Sequence, residues 1–422
     1  MILSRKPLNL LLVTLAPCLM LVGVGTGYIF DDTASLSPLL QLRQDTAAFW
    51  PLVFDGAAGP LGRPLSLVTF AIEQRFFSAT PDFSQVVSIA VHCCNGLLVY
   101  AILLLVLRSY GDDDRYFWAV LGALLWVCAP QKVSTVLYIV QRMTMLSAFF
   151  TLVALWAYLK GRTTVSIPKS WLYFALCLIA LFLAPFAKEN GVLAVPIIAS
   201  AELLLLGGIQ SEFYSKRLIL IALTILLGGA AAFFALGVLE WNHSFDSYSR
   251  RNFDFWDRVV AIPTILSDYI RQFFLPDTRS MGLLHDDWLL LGSGLSPLIF
   301  SLSVCVLLAV AVVPILAYKI PRLGVAGFGC SIFLIGHSIE SSFLPLELYF
   351  EHRNYLPSLG LVVVATEIAR AVHTRFLANA AKVFRAFVIG YLLLCTVSST
   401  LLATWWRTPG MLMQHHFAGH PN

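Results

Sequence analysis

The chain has 422 residues, 58% of them hydrophobic and only 12% charged, with a formal net charge of +4 and a mean hydropathy of +0.79. A soluble domain carries about a quarter charged residues, so this composition excludes an ordinary soluble enzyme and describes a polytopic membrane protein. The small net charge and the lack of a basic tail argue against nucleic acid as a partner.

Lipid-exposed backbone must satisfy its own hydrogen bonds, so helices are the expected spanning elements. A barrel is disfavoured because the apolar segments are continuous and do not alternate with period 2. The chain opens with Ser4-Arg5-Lys6 and an apolar run near 8–29. At about 1.5 Å per residue such a run crosses the hydrocarbon core. It is long for a signal peptide and no small-residue cleavage site follows it, so it reads as an uncleaved first helix. Where it ends, Asp31 and Asp32 place two adjacent carboxylates at the membrane surface.

Further apolar segments follow near 84–107, 116–131, 143–159, 170–187, 191–207, 218–239, 295–317, 323–343, 356–372 and 385–404. The fold expected is an all-α polytopic membrane protein of about eleven transmembrane helices in one domain over 1–422. Two long loops interrupt it, 30–83 and 240–294. Within them, 63–77 and 255–274 carry apolar residues mostly at helical spacing, which predicts amphipathic helices lying in the interface or packed on the bundle. The eight cysteines fall in or at the ends of apolar runs without a CxxC. They read as buried small hydrophobes, neither a disulfide framework nor a metal site.

Orientation follows from the short loops. Arg108 and Arg115, Lys160, Arg162 and Lys169, Lys216 and Arg217, Lys319 and Arg322, and Arg370, Arg375, Lys382 and Arg385 fall on one side, with the N-terminal Arg5 and Lys6. That side is expected to be cytoplasmic. The opposite short loops hold Lys132, Arg142, Lys188 and Arg353, and the two long loops share their side.

Five polar clusters therefore meet on one face: Asp31-Asp32, Arg63-Pro64, Gln141-Arg142, Lys188-Glu189-Asn190, and Glu347 through Tyr355. Ionisable groups near membrane depth are costly, which makes them functional candidates. A carboxylate in a partly dry pocket acts as general base toward a hydroxyl, and a neighbour orients it or shares its proton; the competing use of Asp31 and Asp32 is a helix cap. Arg63, Arg142, Lys188, His352 and Arg353 suit a phosphate, through planar guanidinium bonding and point charge. Local ion pairing of Lys188 with Glu189 and snorkelling of Arg353 are the plainer alternatives. Gln141, Glu189, Asn190, Glu347, Glu351, Asn354 and Tyr355 form the supporting polar set. His352 has no His or Cys partner at ligand spacing, so no metal is expected. Tyr349 and Tyr355 suit an interfacial belt. Lys132 reads as an interfacial anchor, His92 through Asn95 as helix packing, Asp112 through Asp114 as a solvated turn, and His415-His416 as a frayed tail.

The ordered series Phe30-Asp31-Asp32, Arg63-Pro64-Leu65, Ala129-Pro130-Gln131 running to Val140-Gln141-Arg142, Lys188-Glu189-Asn190 and Glu351 through Pro357 resembles the membrane half of the transmembrane and tetratricopeptide-repeat O-mannosyltransferases and their bacterial relatives, within the GT-C superfamily. The resemblance spans about residues 8–372. It implies inverting transfer of a sugar from a polyprenyl phosphate to an acceptor hydroxyl on the non-cytoplasmic face, without a metal or other cofactor. By the same resemblance Asp31, with Asp32, is the candidate base, and Arg63, Lys188 and Arg353 face the lipid phosphate. No tetratricopeptide repeats follow the last span, so the acceptor is open: an exported protein such as a type IV pilin, or an envelope glycolipid. Membrane lipids are the remaining partners, and a bacterial inner membrane the expected location. Two other functions stay in view. A transporter or flippase of a lipid-linked or anionic solute would show helices broken at the midplane. A glycan polymerase or ligase would take a diphosphate-linked donor.

Overall fold

A computed structural model describes residues 5–44, 47–54, 56, 62–108, 112–206, 247–251, 253–283, 285, 288, 294–342, 344–375 and 380–419. The apolar segment near 218–239, with Lys216 and Arg217, lies outside the described residues, as does much of the loop 240–294. All regular structure among the described residues is helical: α1 Arg5–Leu15, α2 Asp31–Leu36, α3 Phe49–Phe54, α4 Pro64–Phe77, α5 Pro81–Val106, α6 Asp112–Val127, α7 Val133–Leu137, α8 Arg142–Thr163, α9 Ile167–Ala187, α10 Ala194–Ala201, α11 Phe255–Phe274, α12 Pro297–Lys319, α13 Gly324–His337, α14 Ser358–Arg375, α15 Ala381–Trp405 and α16 Pro409–Gly419.

Six helical stretches among the described residues are long and apolar enough to cross a membrane: Pro81–Val106, Ile139–Thr163, Ile167–Ala187, Glu189–Leu206, Pro297–Lys319 and Lys382–Trp405. A seventh is obtained if Asp114–Val127 and Pro130–Leu137, which meet at 55°, count as one broken span. The break falls at Pro130, which cannot donate the backbone bond that would carry α6 onward. The first apolar run is shorter than its composition suggests. Helix α1 passes into a 3₁₀ segment, Ala16–Gly23, and the chain then turns at Gly25 and Gly27, both at positive φ.

Sequence sets the helix limits locally. Thr80 caps α5 by accepting from the Phe83 N–H (3.3 Å), and Pro81 follows where its missing N–H costs nothing. Asp254 and Asp257 form a reciprocal capping box at the start of α11. Helix α12 is apolar on all sides and largely exposed, with Leu298, Leu302, Leu308 and Ile315 each more than half exposed. A surface of that kind suits lipid. Trp118, Trp126, Trp406 and Phe328 are fully buried and anchor the core. Cys94 and Cys305 are exposed and Cys18 half-buried, so the reading of all eight cysteines as buried does not hold for these three.

Two contacts fix the helix pair on which the site depends. A Cβ at Gly329 would stand 2.7 Å from the Gly360 carbonyl oxygen, and one at Gly336 would stand 2.6 Å from Pro357. Only glycine lets α13 and α14 approach this closely, as small residues do between membrane helices. The approach brings the C-terminal end of α13 against the segment 351–357.

Candidate functional site

Each predicted polar cluster lies at a helix junction, and contacts join four of them: Asp32 to Val140, Gln141 through Thr144 to Lys188, and Glu189 to Arg63. Asp31 and Asp32 open α2, immediately after Phe30, whose φ of 42° and ψ of −119° are strained for a residue with a Cβ. The two carboxylates part company at once. Asp32 is fully buried. Its Oδ1 accepts from the Val140 N–H at 2.6 Å and its Oδ2 from the Ile29 N–H at 3.1 Å. Burial pushes its carboxyl up to about 7, against the pull of those two backbone bonds and with Asp31 adding to the rise. Asp31 is exposed. Its backbone N–H donates to the Tyr138 hydroxyl at 3.0 Å. Asp32 is thus built into the backbone, and Asp31 presents its side chain outward.

Arg63 precedes α4 in the left-handed region, φ 50° and ψ 49°. Its guanidinium reaches Glu189, with Nε 3.1 Å and Nη2 2.9 Å from Oε2, and both side chains keep partial exposure. Lys188 sits in extended conformation between α9 and the 3₁₀ turn Glu189–Leu193. A Cβ at Gly191 would strike the Ala184 backbone and come within 2.6 Å of the Pro185 nitrogen, so the turn folds back tightly over the end of α9. That fold aims Lys188 inward. Its Nζ donates to Glu340 Oε1 at 2.6 Å and to Thr144 Oγ1 at 3.0 Å. Burial lowers the lysine's pKa, opposed by Glu340. Thr144 in turn donates to Gln141 Oε1 at 2.9 Å.

The stretch from Glu347 to Tyr355 is held from several sides. Arg353 is buried and donates through Nη1 to the carbonyls of Glu347 and Leu348 at 2.5 and 2.9 Å. Glu351 accepts from Ser134 Oγ at 2.5 Å and from the Gly282 N–H at 2.8 Å, and His285 lies 3.6 Å from it. Asn354 donates to Gln131 Oε1 at 2.6 Å. His352 stacks on Phe350, and burial holds its imidazole well below the usual histidine range. Glu347 is half-buried and pairs with Arg251. A small cavity opens beside these groups, lined by Thr144, Ser147, Asn190, Gly336, Arg353 and Pro357. The Asn190 Oδ1 is buried there without a partner among the described residues.

Several expectations need correction. Arg142 does not reach a phosphate site. It is fully buried, with Nη1 2.5 Å from Glu73 Oε1, Nη2 2.6 Å from the Ser84 carbonyl and Nε 3.1 Å from Ser88 Oγ, and it lies over the Phe70 ring. Lys132 is no interfacial anchor. It is fully buried and donates to the carbonyls of Asn354 (3.2 Å) and Tyr355 (2.7 Å) and to Ser358 Oγ. Tyr355 and Tyr349 are buried and not belt residues. The Tyr355 hydroxyl meets His92 Nδ1 at 2.7 Å and accepts from Asn95 at 3.1 Å, and Tyr349 donates to Asp268 at 3.0 Å. His92 and Asn95 do serve packing between helices. His415 and His416 belong to α16, with His415 2.9 Å from the Met281 carbonyl, and are not frayed.

Four groups of the site escaped the sequence reading: Glu73, Arg258, Thr144 and Glu340. Arg258 on α11 is buried and gathers the 340–347 backbone, donating to the carbonyls of Glu340 at 2.8 Å, Ser342 at 2.7 Å, Glu347 at 3.1 Å and also Leu346. Glu340 was visible as a charge within the apolar run 323–343, which by itself marks a functional candidate. Among the described residues no group of three or more His, Cys, Asp or Glu side chains is placed to hold a metal. No family profile, curated protein or solved structure matches the chain significantly.

Proposed function

We propose that the protein is a membrane glycosyltransferase of the inverting, GT-C type. More particularly, it moves a sugar from a polyprenyl-phosphate carrier to a hydroxyl of an exported protein or an envelope glycolipid, at the periplasmic face of a bacterial inner membrane. The observation that carries this reading is a convergence. An exposed carboxylate, Asp31, adjoins Asp32, whose Oδ1 accepts from the Val140 N–H; the same turn leads on to Gln141 and Thr144, Thr144 holds Lys188, and Lys188 adjoins Glu189, the partner of Arg63. The eleven-span count, with the N-terminus in the cytoplasm, belongs to the same proposal and puts these residues on the outer side.

In this mechanism the acceptor hydroxyl oxygen attacks the anomeric carbon from the face opposite the phosphate. The carbon–oxygen bond to phosphate breaks and its electron pair stays on the phosphate oxygen. The hydroxyl proton passes to Asp31. Asp32 fixes the turn that aims Asp31 by clasping the Ile29 and Val140 N–H groups. Arg63 and Lys188 meet the charge that develops on the leaving phosphate, where donors already in place are worth most. Arg353 shapes the cavity wall through its carbonyl contacts. The chemistry needs no group beyond the lipid-linked donor.

A second reading, transport of an anionic or lipid-linked solute, draws on the broken pair Asp114–Val127 and Pro130–Leu137, with Lys132 buried in its second half. It fits less well, because the Lys132 ammonium is spent on three oxygens of the 354–358 segment. The two readings separate on whether a sugar becomes covalently attached to an acceptor in an Asp31-dependent way, or a solute crosses sealed vesicles unchanged.

A further inference from the structure

We infer that Glu340 holds the place of the carrier phosphate: its carboxylate neutralises Lys188 in the resting site and gives way when a lipid-linked phosphate arrives, a diester in the sugar donor and a monoester in the spent carrier. This rests on the proposed phosphate site and adds to it a residue that sets donor affinity.

The geometry singles out Glu340. Its Oε1 lies 2.6 Å from Lys188 Nζ, and both side chains are close to fully buried. Its Oε2 is buried with no hydrogen-bond partner among the described residues. A buried carboxylate normally satisfies both oxygens, since an unpaired charged acceptor away from water is costly. Here one oxygen carries the whole interaction. Its surroundings are cationic: Arg353 faces Glu340 from the segment after α13, and Arg63 faces Lys188 from the start of α4. Glu189, the remaining acid of the cluster, is occupied with Arg63. The Lys188 ammonium is also steadied by Thr144, so it keeps its position when its carboxylate partner leaves.

The donor's phosphodiester offers two free oxygens, and the spent carrier's monoester offers three with more charge than a carboxylate, to share between Lys188 and Arg63. Exchange replaces a one-oxygen contact with a multidentate one. The Glu340 carboxylate then competes with the ligand, which weakens binding and speeds release of the spent carrier phosphate. Removing one charge of a buried pair changes ligand affinity strongly, because the remaining charge seeks a new partner.

The test uses full-length protein in detergent and farnesyl phosphate as probe, with affinity read by quenching of tryptophan fluorescence. Glu340→Gln keeps the shape and loses the charge. It should bind farnesyl phosphate about tenfold more tightly than wild type, while Lys188→Gln binds more weakly. In the double variant the gain from Glu340→Gln should vanish, because it acts through Lys188. Glu340→Ser, which leaves room for water, is the second variant should the glutamine protein lack a cooperative melt, and it too should bind more tightly. Unchanged or weaker binding in both Glu340 variants, with Lys188→Gln still impaired, overturns the role of Glu340 and leaves the phosphate site standing. Unchanged binding in Lys188→Gln and Arg63→Gln overturns the phosphate site and the Glu340 role with it.

Discussion

The buried Arg142–Glu73 pair gives the sharpest test of how the cations divide between structure and ligand. Arg142 is 0% and Glu73 6% exposed at the side chain, and the guanidinium spends its donors on Glu73, Ser84 and Ser88. Removing one partner leaves an uncompensated buried charge, a loss of about 3–5 kcal/mol. With an unfolding entropy of ~2.1 cal/mol/K per residue, a chain of this length changes Tm by roughly 1 °C per kcal/mol. Arg142→Met and Glu73→Gln should therefore each lower the melting temperature by about 3–5 °C in differential scanning fluorimetry. Arg142→Met with Glu73→Leu removes both charges and should recover part of that loss, since an apolar pair of similar volume is often no less stable. Farnesyl phosphate affinity of the folded fraction should stay within about twofold of wild type, because a group that never meets the ligand contributes no binding energy. An Arg142→Met protein with unchanged melting temperature and lost phosphate affinity would refute the assignment and return Arg142 to the phosphate clamp.

Two more expectations follow from the site. Burial raises the folded-state pKa of Asp32 to about 7, above an unfolded value near 3.9. The folded protein thus holds this proton more tightly, and the stabilisation is fully present below about pH 4 and lost as pH rises through 7. Wild type should lose about 3 °C of melting temperature relative to Asp32→Asn between pH 5 and 8; parallel melting curves over that range would show that Asp32 does not titrate there. Gly191→Ala drives a methyl group into the Ala184 and Pro185 backbone. It should open the turn that carries Lys188 and weaken farnesyl phosphate binding at least tenfold, at a stability cost of about 1–3 kcal/mol. Binding equal to wild type would mean that the turn is not what aims Lys188.

Much of the helical content was legible because apolar run length is a strong signal in so hydrophobic a chain. The segments near 84–107, 143–159, 170–187, 191–207, 295–317 and 385–404 correspond to helices long enough to span. Two helices within the long loops, α4 and α11, were also readable from spacing. Run length does not report where a helix bends, so the break at Pro130 and the early stop of the first helix at Gly23 were hidden in apolar composition. For the site, proximity in sequence marked the clusters but not their pairings. Arg142 looked equivalent to Arg63 and Lys188 because all three are cations placed on the same side by the loop charges. Its partner Glu73 lies 69 residues away on α4, and only tertiary packing decides that this guanidinium faces inward. Glu340 stood out as a charge in its apolar run, but its partner Lys188 lies on another segment and only packing brings the two together. Adjacent Asp31 and Asp32 could not be told apart from sequence, yet the turn at Phe30 sends one into the backbone and leaves the other exposed.

The central claim is that Asp31 takes the acceptor proton in a glycosyl transfer. Its most direct test is mass spectrometry of exported proteins and envelope glycolipids from cells carrying wild-type or Asp31→Asn protein at matched membrane levels and matched melting temperature. The account predicts that one species loses a sugar-sized mass in the variant, with transfer reduced by about 10²–10⁴-fold. Identical mass profiles from the two strains would contradict it, and would reduce Asp31 to the cap of a short helix.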